Sequence, residues 1–224
     1  MLLVAVAFAS LGSVQTPPLW IKTLGYSASE VWTVEISKPG IPVVTTKIQG
    51  APVDLMFDTA NMAGLSISTN KAKELNLSVV GKWEDLDSSG AVIGYTSVFR
   101  VKEMSVFGQT WSDQRATSID DDQVHGTLFG YGLLGPKYLQ GCIVTFDYQS
   151  GLVAVRRGPG KSLPGWKELK MVVSDAFPGL PLVHGKVNGR PLLMELDTGK
   201  SRCVVDPELD HELNFPITVH GSKI

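Results

Sequence analysis

The feature that most limits what this chain can fold into is a near-repeat within it. Residues 41–59 (IPVVTTKIQGAPVDLMFDT) align without a gap on residues 180–198 (LPLVHGKVNGRPLLMELDT), at an offset of 139 (197 − 58). Seven positions are identical: Pro42/Pro181, Val44/Val183, Lys47/Lys186, Gly50/Gly189, Pro52/Pro191, Asp58/Asp197 and Thr59/Thr198. Chance would supply about one identity in so short a window, so the sequence reads as a duplication with two equivalent halves. The match resumes one residue out of step, with 74–77 (ELNL) against 212–215 (ELNF). The first copy continues well beyond this point, whereas the second stops at Ile224, so the second half is expected to be incomplete.

Each copy has the pattern of a hairpin. Apolar residues alternate over 43–48, turn residues follow at Gly50-Ala51-Pro52, and a second apolar run covers 53–57. Both copies end this run with Asp-Thr. Beyond the first copy the pattern predicts a short strand over 65–68. A short helix follows, starting at Ser68 or Thr69 with Lys71 to Leu75 inside it. In the second copy Asp206 suits an N-cap with Pro207 at the first helical position. Glycines (23) and prolines (13) punctuate short Val/Ile/Leu/Thr runs throughout, which predicts an all-β fold, mainly strands with short helices.

Composition and failed motifs exclude several functions. The net charge of −2 and the scattered aromatics offer nothing for nucleic acid. Gly199-Lys200-Ser201 and Gly160-Lys161-Ser162 lack the glycine five positions upstream that a phosphate-binding loop needs, since Met194 and Val155 stand there. No nucleotide is expected. The stretch 64–68 (GLSIS) lacks the final glycine of a nucleophile elbow, and His211-Glu212 has Phe215 where a zinc-binding second histidine would be. Asp120-Asp121-Asp122 reads as a solvated acidic turn, and Cys142 and Cys203 as two buried free thiols without metal spacing. No metal or cofactor is expected. Residues 1–9 (MLLVAVAFA) are too short to span a bilayer and end in small residues. They read as a signal peptide within 1–12, directing a secreted or periplasmic protein, with a buried N-terminal strand as the open alternative. No later stretch is apolar enough for a membrane span.

Leu196-Asp197-Thr198-Gly199-Lys200-Ser201, behind its apolar strand, resembles the active-site motif of aspartic proteases. Phe57-Asp58-Thr59-Ala60 resembles the same motif with Ala60 in place of glycine. Gly132-Leu133-Leu134-Gly135, then Tyr138-Leu139 and 143–148 (IVTFDY), is similar to the segment that closes a lobe beside that motif. The resemblance is to retropepsin-like and pepsin-like aspartic proteases, and it implies an acid-protease-like closed β-barrel lobe, duplicated. Residues 13–157 would form a complete lobe, 158–170 a linker, and 171–224 the start of a second, incomplete lobe. The resemblance further implies a catalytic pair, Asp58 and Asp197, on loops supported by Thr59, Ala60, Thr198 and Gly199. Leu133, Leu134 and Gly135 would close the lobe, and Ser89, Gly90, Gly94 and Tyr95 would belong to a flap over an extended polypeptide substrate.

Two carboxylates a few ångströms apart suit metal-free peptide hydrolysis, because they cannot both ionise cheaply and so share one proton. Two functional readings follow: an aspartic endopeptidase, or a non-catalytic peptide-binding domain of the same fold. Ala60 motivates the second, since a Cβ in a left-handed conformation costs about 1–2 kcal/mol. Pairing with a partner molecule to complete the second lobe, or dimerisation of the first lobe alone, would offer other routes to a two-aspartate site.

Overall fold

The structure is a computed structural model that describes residues 3–7, 18–37, 40–86, 89–121, 130–158, 161, 163–165, 167, 169–172, 174, 179–204, 218–219 and 222–223. In chain order the strands are β1 (Leu3–Ala7), β2 (Val31–Thr33), β3 (Glu35–Ile36), β4 (Pro42–Ile48), β5 (Ala51–Phe57), β6 (Leu65–Ser68), β7 (Ser78–Leu86), β8 (Val92–Val106), β9 (Gln109–Ile119), β10 (Gly132–Leu134), β11 (Cys142–Asp147) and β12 (Leu152–Arg157). Five short strands follow: β13 (Met171–Val172), β14 (Leu182–Val187), β15 (Arg190–Glu195), β16 (Thr218–Val219) and β17 (Ser222–Lys223). Two short helices, α1 (Leu19–Leu24) and α2 (Thr69–Glu74), complete the main elements. The protein is mostly β, as its sequence predicts.

Alternation along β4 and β5 gives each strand one buried face, and the two-residue turn Gln49-Gly50, with φ of 50° and 84°, folds them into a hairpin. Six strands then close on themselves in the order β4-β5-β10-β6-β9-β8, with β8 returning to β4 through Lys47↔Ser105 and Ile48↔Met104. Closure satisfies both ladder sides of these strands and makes a barrel. Its interior is filled by Ile48, Val53, Leu55, Phe57, Leu65, Ile67, Val101, Met104 and Leu134, all essentially without solvent contact. This core continues onto a second sheet, β1-β11-β12-β2, through Val144, Phe146, Val153 and Val155. The rings of Phe57 and Phe146 meet there at 5.1 Å. Helix α1 covers the sheet's far side: Trp20 Nε1 donates to Asp147 Oδ2 at 2.8 Å, and the Arg156 guanidinium stacks over Tyr26.

The second hairpin pairs in the register of the first. Val44↔Leu55 and Lys47↔Pro52 have their counterparts in Val183↔Met194 and Lys186↔Pro191, each 139 residues on. The turn Asn188-Gly189 has φ of 49° and 80°. Burial separates the two hairpins: Leu55 is enclosed, but Met194, its counterpart, is 38% exposed and Leu193 is 53% exposed. Among the described residues the sheet holding β14 has three strands, β13-β14-β15, so little packs on this apolar face.

Three local expectations change. Cys203, read as buried, is exposed, because it lies in the unpaired stretch after the second tripeptide and not in a strand; Cys142 is buried in β11. Helix α2 is capped by Ser68, whose hydroxyl accepts from Lys71 N at 3.2 Å, and Leu75 is its C-cap, one residue beyond the helix. Gly94, placed by its sequence at a hairpin tip, lies inside β8 opposite Asp85. Residues 1–9 contribute β1, which adds in parallel to β11 from Leu3↔Ile143 to Ala7↔Asp147. The described residues of 158–170 form no helix or strand, while Asp206, Pro207 and 212–215 lie outside the described residues. No described helix is long and apolar enough to cross a membrane.

Candidate active site

β5 carries the chain out of the core at Phe57 and presents Asp58 at its end. The Asp58 N–H donates to Leu134 O at 2.9 Å, because β10 runs parallel to β5 with Leu134 opposite Phe57. The chain then reverses: Asn61 N donates to Asp58 O at 3.1 Å and Gly64 N to Asn61 O at 3.1 Å. Gly135 N closes against Gly64 O at 2.6 Å. A Cβ on Gly135 would collide with Asn61 O, so only glycine permits this approach. The Leu133-Leu134-Gly135 segment thus clamps the first tripeptide loop from one side, and the Asn61 amide adds a long hydrogen bond to Leu133 O.

The second tripeptide clamps it from the other side. Thr59 N donates to the Thr198 hydroxyl at 3.1 Å and Thr198 N to the Thr59 hydroxyl at 3.0 Å. The Thr59 hydroxyl donates to Leu196 O at 2.5 Å and the Thr198 hydroxyl to Phe57 O at 2.7 Å. Both threonines are buried, and their two side chains satisfy four backbone groups. The loops are also alike inside: Ala60 N donates to Asp58 Oδ1 at 2.8 Å and Gly199 N to Asp197 Oδ1 at 2.7 Å.

This interlock brings the two carboxyl groups together, half-buried. Burial first, then the Asp197 charge and a side-chain hydrogen bond to Asp197, push the Asp58 carboxyl up to about 6, against the pull of the Ala60 N–H and the Lys200 charge. Glu195 is raised by partial burial and then by the Asp197 charge, again opposed by Lys200. Tyr148, just past β11, is pushed up to about 12 by burial and by Asp197. A pair of close carboxyls of which one holds its proton to near-neutral pH can activate water and protonate a carbonyl oxygen together.

Ala60 does not adopt a left-handed conformation. The described non-glycine residues with positive φ are Gln49, Asn76, Phe107, Asp113 and Asn188. The strain expected from a Cβ at this loop is therefore absent, and Ala60 offers its N–H as Gly199 does. Space is the constraint at Gly199: an added Cβ would stand 2.7 Å from Asp58 Cγ.

Ser89 and Gly90 lie at the tip of the hairpin β7–β8, where Gly90 has φ of 85°. β8 pairs with β9 only from Val98 onward, so Val92 to Ser97 run beyond the barrel as a two-stranded ribbon with β7. Tyr95 sits in this ribbon opposite Glu84 and is 61% exposed. Thr96 donates to the Asp85 carboxylate at 2.9 Å and stiffens it. Asn61, Glu195, Tyr148 and the charge of Lys200 were not singled out from the sequence. Asn61 and Lys200 share one place after the aspartate, which is a usable signal; Tyr148 is brought near only by the fold. Among the described residues no cluster of three or more His, Cys, Asp or Glu is placed to hold a metal.

Residues 44–135 match a family model described as aspartyl protease. No curated protein matches the chain. Among solved structures, the chain is similar to the crystal structure of a retropepsin-like aspartic protease from Rickettsia conorii, at 11% identity and a TM-score of 0.40, over 57% of this chain and 90% of that one.

Proposed function

We propose, from the match of residues 44–135 to the aspartyl protease family model, that this chain is an aspartic endopeptidase working through Asp58 and Asp197. The observation that carries the reading is the Thr59–Thr198 interlock, which sets the two carboxyls side by side and leaves Asp58 pushed up to about 6. Below that pH the pair holds one shared proton, which burial favours on Asp58. Asp197 takes a proton from a water bridging the two groups, and the water oxygen attacks the peptide carbonyl carbon. Asp58 gives its proton to the carbonyl oxygen. Collapse of the tetrahedral diol, with proton transfer to the amide nitrogen, breaks the C–N bond and releases a carboxylic acid and an amine.

The substrate is an extended polypeptide laid along the tripeptide loops, and the exposed Tyr95 and Gly90 tip of the β7–β8 ribbon suit a cover for it. The equal register of the two hairpins supports a duplicated origin of the loops. Exposed Leu193 and Met194 support completion of the second lobe by further chain or by a partner molecule. The non-catalytic reading loses its motive, since Ala60 is unstrained.

The test is cleavage of an unstructured protein by the wild type, Asp58→Asn and Asp197→Asn. Each substitution is expected to abolish cleavage at every pH; cleavage that survives both would sink the paired-carboxylate mechanism.

A further inference from the structure

On the outer wall of the barrel, β8 and β9 set two arginines directly opposite one another. Arg100 pairs with Arg115 in the ladder, between Phe99↔Ala116 and Val101↔Gln114. Phe99, Val101 and Ala116 are buried in the core, so strand alternation turns both guanidiniums to solvent. Side chains so opposed start from Cβ atoms about 5 Å apart, and like charges there repel. Asp113 answers only half of this charge. Its backbone is left-handed, with φ of 53°, and the ladder skips it together with Lys102 opposite. From there the Asp113 carboxylate meets Arg100 Nε at 2.6 Å. Among the described residues Arg115 has no ion-pair partner and Arg100 has no second one. Arg100, Asp113 and Arg115, with Val80 of β7, line a depression of about 270 Å³ that Lys102 does not reach. Two guanidiniums against one carboxylate leave one positive charge in it. Exposed Val79 and Val80 extend it as an apolar surface along β7, the last strand of its sheet.

We infer that Arg100 and Arg115 form a binding site for one carboxylate, supplied by an acidic side chain of an extended polypeptide. One carboxylate balances the one unpaired charge, whereas a dianion would overshoot it beside Asp113. The planar fork of Arg115 holds both oxygens of a carboxylate, and the Arg100 N–H groups not turned to Asp113 face the same ion. Val79 and Val80 suit apolar neighbours of that acidic residue, and the outer edge of β7 offers backbone groups to an extended chain. The site is open to water, so the contact is weak and salt-sensitive. None of its residues belongs to the tripeptide loops, and it stands or falls apart from peptide cleavage.

The experiment is an NMR titration of the full chain that follows the Nε–Hε signals of Arg100 and Arg115, assigned from Arg100→Gln and Arg115→Gln. The probes are a blocked Ala-Val-Glu-Val-Ala peptide, its Gln counterpart, sodium acetate and inorganic phosphate, each at about 20 mM and about 200 mM salt. The Glu peptide is expected to shift both signals with a Kd of about 1 mM at low salt, and to bind several-fold more weakly at the higher salt. The Gln peptide, acetate and phosphate are expected to bind at least about 10-fold more weakly. Arg115→Gln should weaken the Glu peptide about 5-fold or more, and Arg115→Lys, which keeps the charge without the planar fork, should recover less than half of that loss. Equal shifts by the Glu and Gln peptides, or undiminished binding of the Glu peptide by Arg115→Gln, overturn the inference. Acetate or phosphate that binds as tightly as the Glu peptide overturns it too, since any small anion would then suffice.

Discussion

Thr59 and Thr198 hold one another's loops: the N–H of each donates to the hydroxyl of the other, at 3.1 and 3.0 Å. Each hydroxyl then donates to the carbonyl of the residue before the opposite aspartate, Leu196 or Phe57. Two buried side chains thereby fix the spacing of two carboxyl groups that would otherwise repel.

Replacing either threonine by valine strands a buried N–H and a carbonyl at once. Thr198→Val is expected to cost about 2–4 kcal/mol of unfolding free energy, and Thr198→Ser about 1 kcal/mol or less, since the hydroxyl survives. Because the two residues share partners, Thr59→Val should cost less in the Thr198→Val background than alone. A double-mutant cycle by urea unfolding measures this coupling; strict additivity would mean the interlock is not formed.

Asp58 binds its proton more tightly in the folded chain than its usual value of 3.8 would allow. Acid therefore favours the fold through this group. Its contribution is fully present below about pH 4 and is lost as pH rises through about 6. Asp58→Asn keeps an acceptor for the Ala60 N–H and removes the buried charge. It is expected to stabilise the protein by about 1–2 kcal/mol near pH 7 and by nothing near pH 3. Denaturant midpoints at the two pH values test this, and equal effects at both would contradict the raised Asp58.

The two ends of the tripeptides should respond in opposite ways. Gly199→Ala pushes a methyl group into the Asp58 carboxyl and is expected to lower kcat/KM roughly 100-fold. Ala60→Gly relieves no strain and should change kcat/KM by no more than about 3-fold. Kinetics at one acidic pH decide; a large gain in Ala60→Gly would restore Ala60 as an impediment.

Gly135 is fixed by contact rather than by torsion. A Cβ there meets Asn61 O, so Gly135→Ala is expected to destabilise the first lobe by about 3 kcal/mol or more. Gly81 in β7, whose added Cβ would meet only Val98 at 3.9 Å, provides the comparison, with a change of about 0.5 kcal/mol. Thermal unfolding of the two variants side by side checks the contrast.

Much of this architecture was legible in the sequence because it is local. The alternation over 43–57, the Gly50 turn and the strand and helix at 65–75 are each written within a few residues. The structure differs there only at helix boundaries and at Gly94. The juxtaposition of Asp58 and Asp197 could be expected because Asp-Thr recurs at matched positions of the repeat. What stayed hidden is set by contacts between distant residues. Cys203 reads as a buried free thiol, but burial needs packing on both sides, and it lies in a stretch outside the described strands. The harmlessness of Ala60 depends on a φ angle that no sequence pattern reports. Lys200 stands in the sequence within the second motif and in a failed phosphate loop, and its charge acts on Asp58 only through the way the loops cross.

The most direct measurement is the rate of cleavage of an unstructured protein from about pH 3 to about pH 8, with and without a statine-type transition-state inhibitor. Cleavage that is strongest in acid, falls away as pH passes about 6 and is blocked by the inhibitor is the expected result. A folded protein that cleaves with no decline through that range, or cleaves fully in the inhibitor's presence, would contradict a shared proton between Asp58 and Asp197.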